Sequence, residues 1–306
     1  MTTPAVLAID AGQTGMKTRL VTPAGGRDAV FPGILTAAPL RPQLVAVVRA
    51  ALSQSDAEAV TVTAGVSGLT AGESDASALL EAIDTPHVRE VRLAHDSITS
   101  FLGALGDGRG AVVASGTGVV TLGVGPSRVA RVDGWGWIMG DAGSGYWIGR
   151  EALDAAMRDF DGRGARTALR ARVEARWPDL ASAYIDLQAD PDRVAVVASF
   201  AAEVARAADE GDEIARRISA RAGTELALSV ETALRRAQAG SGAEVCAIGG
   251  VLRSRWVRDA FSARIGASDL DATAVSARGD GLDGAVTLAR LGAQHPLFAA
   301  VSVARA

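Results

Sequence analysis

Val6-Leu-Ala-Ile-Asp10-Ala-Gly12-Gln-Thr14-Gly15-Met-Lys17-Thr-Arg-Leu-Val21 is the stretch from which the fold can be read. A short apolar run ends in an acid, a Gly/Thr turn follows, and Met16 to Val21 resumes as a strand. Apolar runs separated by a glycine-rich turn read as a hairpin. Its tip carries Asp10, Gly12, Thr14, Gly15 and Lys17. Backbone N–H groups and a hydroxyl, facing an acid able to hold a metal, suit a Mg²⁺-bound polyphosphate. The turn is not a Walker loop, which lies between a strand and a helix. Taken alone, glycine at a hairpin tip signifies no more than a turn.

About a hundred residues on, the organisation returns: Ala111-Val-Val-Ala114 as a strand, Ser115-Gly116-Thr117-Gly118 as a turn, Val119 to Val124 as a strand. Each hairpin opens a βαβ-rich half. In the first, helical spacing of Leu44, Val47, Val48, Ala51 and Leu52 marks residues 42–55. Strands at 59–64 and 88–93 and helices at 73–84 and 97–105 follow, and 31–40 is an irregular Pro/Gly connection. In the second, helices are expected at 148–160, 163–177 and 192–208, then as a pair broken at Gly223, 212–222 and 224–239. A buried strand over 243–248 ends at Gly249-Gly250, where bare backbone would lie flat against a base or ribose. Helices at 254–265 and 281–292 close the pattern. Gly106-Asp-Gly-Arg-Gly110 marks the break, so the expected halves are 1–106 and 107–292, with the tail 293–306 packing back on the first. A polyphosphate clamped between two halves is what such a duplication can build.

Inside the second half lies Gly134-Trp135-Gly136-Trp137-Ile-Met-Gly-Asp141-Ala-Gly-Ser-Gly-Tyr-Trp-Ile-Gly-Arg150, with six glycines, three tryptophans and one acid. Glycines at this density suit positive φ or a close approach to a ligand, and interleaved aromatic rings give walls for a sugar or a base. A tight turn at a domain junction would also account for it. Asp96 falls where the 88–93 strand gives way to a helix, so the helix dipole keeps its carboxylate ionised. It reads as an N-cap or as a general base held by the fold, with Ser97 the other capping candidate. Its neighbour His95 reads as structural, since adjacent side chains at a strand end point apart.

Composition narrows the classes. A net charge of -4 argues against a nucleic-acid surface. No run of 18 uncharged apolar residues calls for a transmembrane helix. The N-terminal residues lack a basic region before their first acid, so no signal peptide is expected and the cytoplasm is the default compartment. A single cysteine, Cys246, excludes an intrachain disulfide and a Cys-rich metal site. Lys17 is the chain's one lysine, and there is no asparagine.

On these residues the chain resembles the BadF/BadG/BcrA/BcrD-type ATPase family, and within it the N-acetylglucosamine-kinase-like members of the actin/Hsp70/hexokinase superfamily. Asp10-x-Gly-x-Thr-Gly15 matches the first phosphate motif, Ser115-Gly-Thr-Gly118 the second and Ile248-Gly-Gly250 the adenosine motif, while 134–149 is nearly diagnostic. The resemblance implies an α/β fold of two ribonuclease-H-like (actin-like ATPase) domains with ATP and sugar in the cleft between them. It implies Asp96 as catalytic base toward the sugar 6-hydroxyl. Asp141, Gly134, Trp135 and Gly136 become the sugar-binding residues, and Asp10 a support for Mg²⁺ through water. Thr14 and Thr117 become phosphate contacts, with Gly250 and the region Ala207 to Gly211 near adenosine. The partner is a small sugar, without nucleic acid or membrane, and the resemblance admits a homodimer. The family's asparagines have no counterpart here: one falls roughly at 31–37, and Val119 and Val120 follow Gly118. Glucosamine or glucose is therefore the alternative to N-acetylglucosamine. The rival classes are a BadF/BadG-type ATPase activator, which would need cluster-binding cysteines, and a non-catalytic nucleotide-binding regulator, which would need neither Asp96 nor Asp141. A Ser/His/Asp hydrolase would need a GxSxG elbow, and the chain has none.

Overall fold

The computed structural model describes residues 5–35, 38–53, 55 and 57–306. Its elements run β1 (Ala5–Ala11), β2 (Met16–Thr22), β3 (Gly25–Phe31), α1 (Leu40–Leu52), β4 (Val60–Val66), α2 (Ala76–Ile83), β5 (Val88–His95) and α3 (Asp96–Leu105). Then come β6 (Gly110–Ser115), β7 (Val119–Val124), β8 (Val129–Val132), α4 (Gly136–Met139), α5 (Gly145–Phe160), α6 (Ala168–Glu174), α7 (Ala183–Ala189), α8 (Arg193–Asp209) and α9 (Glu213–Ala237). The chain closes with β9 (Ala243–Ile248), α10 (Arg255–Ala267), β10 (Ala272–Ala274), α11 (Gly281–Leu288) and β11 (Ser302–Arg305).

Two compact units result. One holds the described residues up to Arg109 with Val124–Val129 and Ser276–Ala306, the other Gly110–Gly123 with Ala130–Val275. The first is built on a sheet ordered β11-β5-β4-β1-β2-β3. β1 pairs antiparallel with β2 and parallel with β4, and β5 continues the parallel set. β1 and β4 are buried along almost their whole length, as strands covered on both faces must be. α1 and α2 bury Leu44, Val48 and Leu79 in the core shared with Leu7, Ile9 and Val62.

The second unit has the sheet order β10-β9-β6-β7-β8. β9 lies parallel to β6 and to β10. Its larger core gathers Phe200, Val204, Leu226, Val230, Val257 and Phe261 from α8, α9 and α10.

Several expectations are corrected. α11 was expected in the second half, up to residue 292. It packs instead on β1 of the first unit, burying Leu282 and Ala285 with Val6 and Ala8, while the Thr63 hydroxyl donates to the Ala285 carbonyl at 2.7 Å. The tail reaches the same sheet, with β11 antiparallel to β5. Gly223 does not break a helix pair, for α9 is continuous over 25 residues. A side chain at Gly223 would strike the Val257 carbonyl, so this glycine sets the closeness of α9 and α10. The helix expected over 163–177 shrinks to α6, capped by Thr167. β3 was not foreseen, because all but one of its residues are exposed at the sheet edge and carry no apolar alternation. Residues 36, 37 and 54, within the expected 31–40 connection and 42–55 helix, lie outside the described residues. Among the described residues no helix is long and apolar enough to cross a membrane.

Candidate active site

The first hairpin closes with Gly12 N–H donating to the Gly15 carbonyl at 3.1 Å, and Ile34 N–H donating to Gly12 O at 3.0 Å. Gln13 and Thr14 are exposed at its tip. Asp10, one residue before the end of β1, pairs across the strands with Lys17. Burial pushes the Asp10 carboxyl above the usual range. Lys17 opposes that shift, and the charges of Asp280 and Asp96 reinforce it. Lys17 is thus exposed and electrostatically coupled to Asp10. Asp280 went unnoticed in the sequence. It caps α11 through the N–H groups of Leu282 and Asp283, in a reciprocal capping box with Asp283. The D-x-x-D spacing before an apolar run was the available signal. At Gly281 a side chain would lie 3.0 Å from Asp10 Oδ2, so the start of α11 leaves room for that carboxylate.

Asp96 is the first residue of α3, directly after the end of β5. The cap is neither Asp96 nor Ser97 but His95, whose Nδ1 accepts from Ser97 N–H at 3.2 Å. His95 was expected to point away from Asp96, yet its Nδ1 lies 2.9 Å from Asp96 Oδ1. The turn from extended to helical backbone brings the two side chains to one side. Nδ1 has one position for either a lone pair or a proton, so this contact is a hydrogen bond only when one partner is protonated.

The second turn is pinned. Gly116 N–H donates to Gly118 O at 2.9 Å, while the first N–H groups of α5, on Gly145 and Tyr146, donate to the carbonyls of Gly116 and Thr117 at 2.7 and 3.0 Å. The Ser115 hydroxyl, foreseen as a cofactor contact, is buried and donates to Gly143 O at 3.1 Å, so it braces the turn. Gly249 was read as a ligand-facing glycine. It has φ +107, and a side chain there would strike the Ser115 backbone, so its bareness serves strand packing. Gly116 and Gly250, by contrast, open onto free space. With Thr117 and Gly145 they line a cavity of about 540 Å³ whose opposite wall is the Ala198-Ala202-Ala205-Asp209 face of α8. Of the expected region 207–211, Asp209 alone lines this cavity, and Ala207 and Ala208 are buried. Gly145 packs near the Ala198 carbonyl. Asp209 lies eleven residues further along α8, about 16 Å at 1.5 Å per residue.

The Gly-Trp loop folds around acids. Asp141 has φ +62 and is 6% exposed. Its Oδ1 accepts from Gly136 N–H at 3.2 Å. At Gly118 a side chain would sit 2.7 Å from its Oδ2, so that glycine makes room for the acid. Burial raises the Asp141 carboxyl first and the charge of Asp133 second, against the N–H groups of Gly136 and Val119 and the charge of Arg131. The glycines at 134 and 136 do take left-handed φ, +80 and +81. Trp135 is 64% exposed and backed by the Arg131 guanidinium, 5.6 Å from its ring. Trp137 leans on Tyr146 at 5.1 Å. Asp133 and Arg131 had drawn no attention in the sequence.

Two sheet-centred α/β units, each opened by a strand–turn–strand hairpin, define a two-domain actin-like ATPase fold. The chain belongs to the BadF/BadG/BcrA/BcrD ATPase family, whose model matches residues 7–289. It is 28% identical over 253 residues, 78% of this chain and 80% of the relative, to an N-acetylmuramic acid/N-acetylglucosamine kinase of Clostridium acetobutylicum. A solved structure from Chromobacterium violaceum, provisionally named an N-acetylglucosamine kinase, superposes with TM-score 0.68 at 24% identity, over 93% of this chain and 98% of that one. A glucokinase of the ROK family from Streptomyces griseus, solved with glucose and AMPPNP, superposes with TM-score 0.53 at 16% identity, over 94% of this chain and all of that one.

Proposed function

We propose that this protein is an ATP-dependent kinase that phosphorylates an amino sugar, N-acetylglucosamine foremost, at the 6-hydroxyl. The observation that carries the reading is the coupling at Gly118. The turn bordering the cavity and the acid of the Gly-Trp loop share this one glycine, so a phosphate-type turn and a hydroxyl-binding carboxylate are built as neighbours. The name of the Clostridium relative supports the substrate class.

Gly116, Thr117 and Gly250 border the nucleotide, and the alanine face of α8 supports its apolar parts. Gly12, Thr14, Gly15 and Lys17 of the first turn meet phosphate oxygens, while Gly249 holds Gly250 in place. Asp141 keeps acceptor capacity beyond its backbone bonds, since a carboxylate has about four lone-pair sites, and it receives sugar hydroxyls beside Gly134, Trp135 and Gly136. Asp96 takes the proton of the attacking hydroxyl, and His95, whose Nδ1 accepts from Ser97 N–H, fixes the start of α3 on which Asp96 stands.

The donor set also fits Mg²⁺. Asp10 stands in the field of Asp96 and Asp280, yet among the described residues no cluster of three His, Cys, Asp or Glu side chains could hold a metal alone. A cation that keeps its waters and leans on substrate phosphates suits such a site. When bound, Mg²⁺ neutralises charge on the transferred phosphoryl group. The cytoplasm, where ATP is supplied, is the compartment this reading implies.

The test is ATP consumption over N-acetylglucosamine, N-acetylmuramic acid, N-acetylmannosamine, glucosamine and glucose, with the product's phosphate position read by NMR. Sugar-dependent turnover giving a 6-phosphate is expected. A folded, ATP-binding protein inert toward all five rejects the reading. The absence of asparagine favours a second outcome, in which glucosamine or glucose outruns the N-acetylated sugars.

A further inference from the structure

We propose that Asp133 is a positioning residue for the sugar-binding loop, its carboxylate stapling the two ends of residues 134–142 and so setting where the Asp141 carboxylate stands. This rests on the reading that Asp141 binds the sugar. Asp133 Oδ1 accepts from the N–H of Gly134 at 2.8 Å and from the N–H of Asp141 at 2.8 Å. Its Oδ2 accepts from Ala142 N–H at 3.2 Å. One side chain thus binds the first peptide of the loop and the last two.

The other ties on this segment are Gly136 N–H to Asp141 Oδ1 within it, Arg131 on Gly134 O and the Trp137–Tyr146 contact. The segment contains Gly134, Gly136 and Gly140, and it displays Trp135, Ile138 and Met139 to solvent. The surroundings are shaped for the staple. Asp133 has φ +58, in the region where Asp is enriched among non-glycine residues. A side chain at Gly140 would meet Asp133 Oδ1. Arg131 Nη2 donates to Gly134 O at 2.7 Å on the loop's outer side.

The staple also has an electrical consequence. The charged groups acting on Asp141 are Asp133 and Arg131, together with the N–H groups of Gly136 and Val119. Asp133 is the one like charge among them. Neutralising it lowers the pH at which Asp141 ionises and leaves Arg131 as the remaining charged neighbour.

Asp133→Gly is the incisive variant, because glycine takes this positive φ without strain while the carboxylate is lost. Expected are an unchanged Tm, an unchanged Kd for ATP, and a sugar KM raised about 10- to 100-fold, the scale of a misplaced substrate contact. Asp133→Asn keeps the acceptor for Gly134 and Asp141 but loses the bond to Ala142 and the charge. Its sugar KM should fall between wild type and Asp133→Gly, and the acid limb of its kcat/KM profile should move to lower pH. If Asp133→Gly fails to fold, the Asn profile carries the test, and an unmoved acid limb with wild-type KM overturns the proposal. A folded Asp133→Gly with wild-type sugar KM overturns it too. Asp141→Ala assayed alongside separates the two layers. An unchanged KM in that variant removes the role of Asp141 and the proposal with it, whereas a raised KM there beside a wild-type Asp133→Gly removes only the staple.

Discussion

The two hairpins look alike as sequence and are held in opposite ways. Among the described residues, the backbone of the turn from Gly12 to Gly15 is held from outside through Ile34, and its flanking strands carry an acid and a lysine paired across them. The turn from Ser115 to Gly118 carries no charge of its own. It is fastened by the start of α5, by the Ser115 hydroxyl and by the carboxylate of Asp141 beside Gly118. Two similar strand–turn–strand units thus differ in their tertiary contacts, one an acid-bearing copy and the other a preorganised copy. Under the proposed function the first serves a hydrated cation and the second the nucleotide and the sugar loop.

Removing Asp96, the acid whose charge acts on Asp10 of the first hairpin, should have the largest effect. Asp96→Asn is expected to lower kcat for sugar phosphorylation by about 10²- to 10⁴-fold, the usual contribution of a general base, with ATP affinity within a few-fold by calorimetry. Wild-type turnover in this variant would remove Asp96 from the chemistry.

Next comes the preorganised copy. Gly118→Ala forces a methyl against Asp141 Oδ2, and the sugar KM should rise about tenfold or more through displacement of that carboxylate. Steady-state kinetics with the sugar varied at saturating ATP decides this, and an unmoved KM would show that the acid can yield without consequence.

Asp10→Asn sharpens the contrast by setting stability against activity. Burial holds the Asp10 pKa above its unfolded value, so its ionisation opposes folding. That cost is absent below the unfolded pKa, grows as pH rises through the folded one, and stays constant above. The variant should therefore melt a few degrees higher at pH 7.5 and show no such gain at low pH, while losing most turnover. A lower melting point at neutral pH would contradict a buried charge that Lys17 only partly compensates.

The smallest effect is expected at Gly12→Ala, whose added methyl would lie 3.4 Å from the Gly15 carbonyl and whose backbone is not left-handed. Stability should hold or gain up to about 1 kcal/mol, measured by urea denaturation, in contrast to Gly118→Ala.

How far the site was legible follows from the range of each signal. The hairpins and the Gly-Trp loop could be read directly because glycine, acid and aromatic residues announce turns within a few positions. Asp280 could not be tied to Asp10 from sequence, since 270 residues separate them and only the return of α11 to the first sheet couples their charges. Gly249 and Ser115 were read as ligand contacts because a bare backbone and a hydroxyl look the same in sequence whether they face a ligand or each other. His95 was misjudged on strand alternation, which fails where the chain enters a helix.

The sequence by itself determined the strand–turn–strand repeat, the alternation of sheet and helix, and the residue types able to handle phosphate and sugar hydroxyls. Those follow from local steric and hydrogen-bonding preferences. Tertiary structure alone decided how far the first copy's acid is buried, which distant acids act on it, and which glycines make room for protein and which open onto free space. Burial and electrostatic coupling depend on neighbours that the chain supplies from far away.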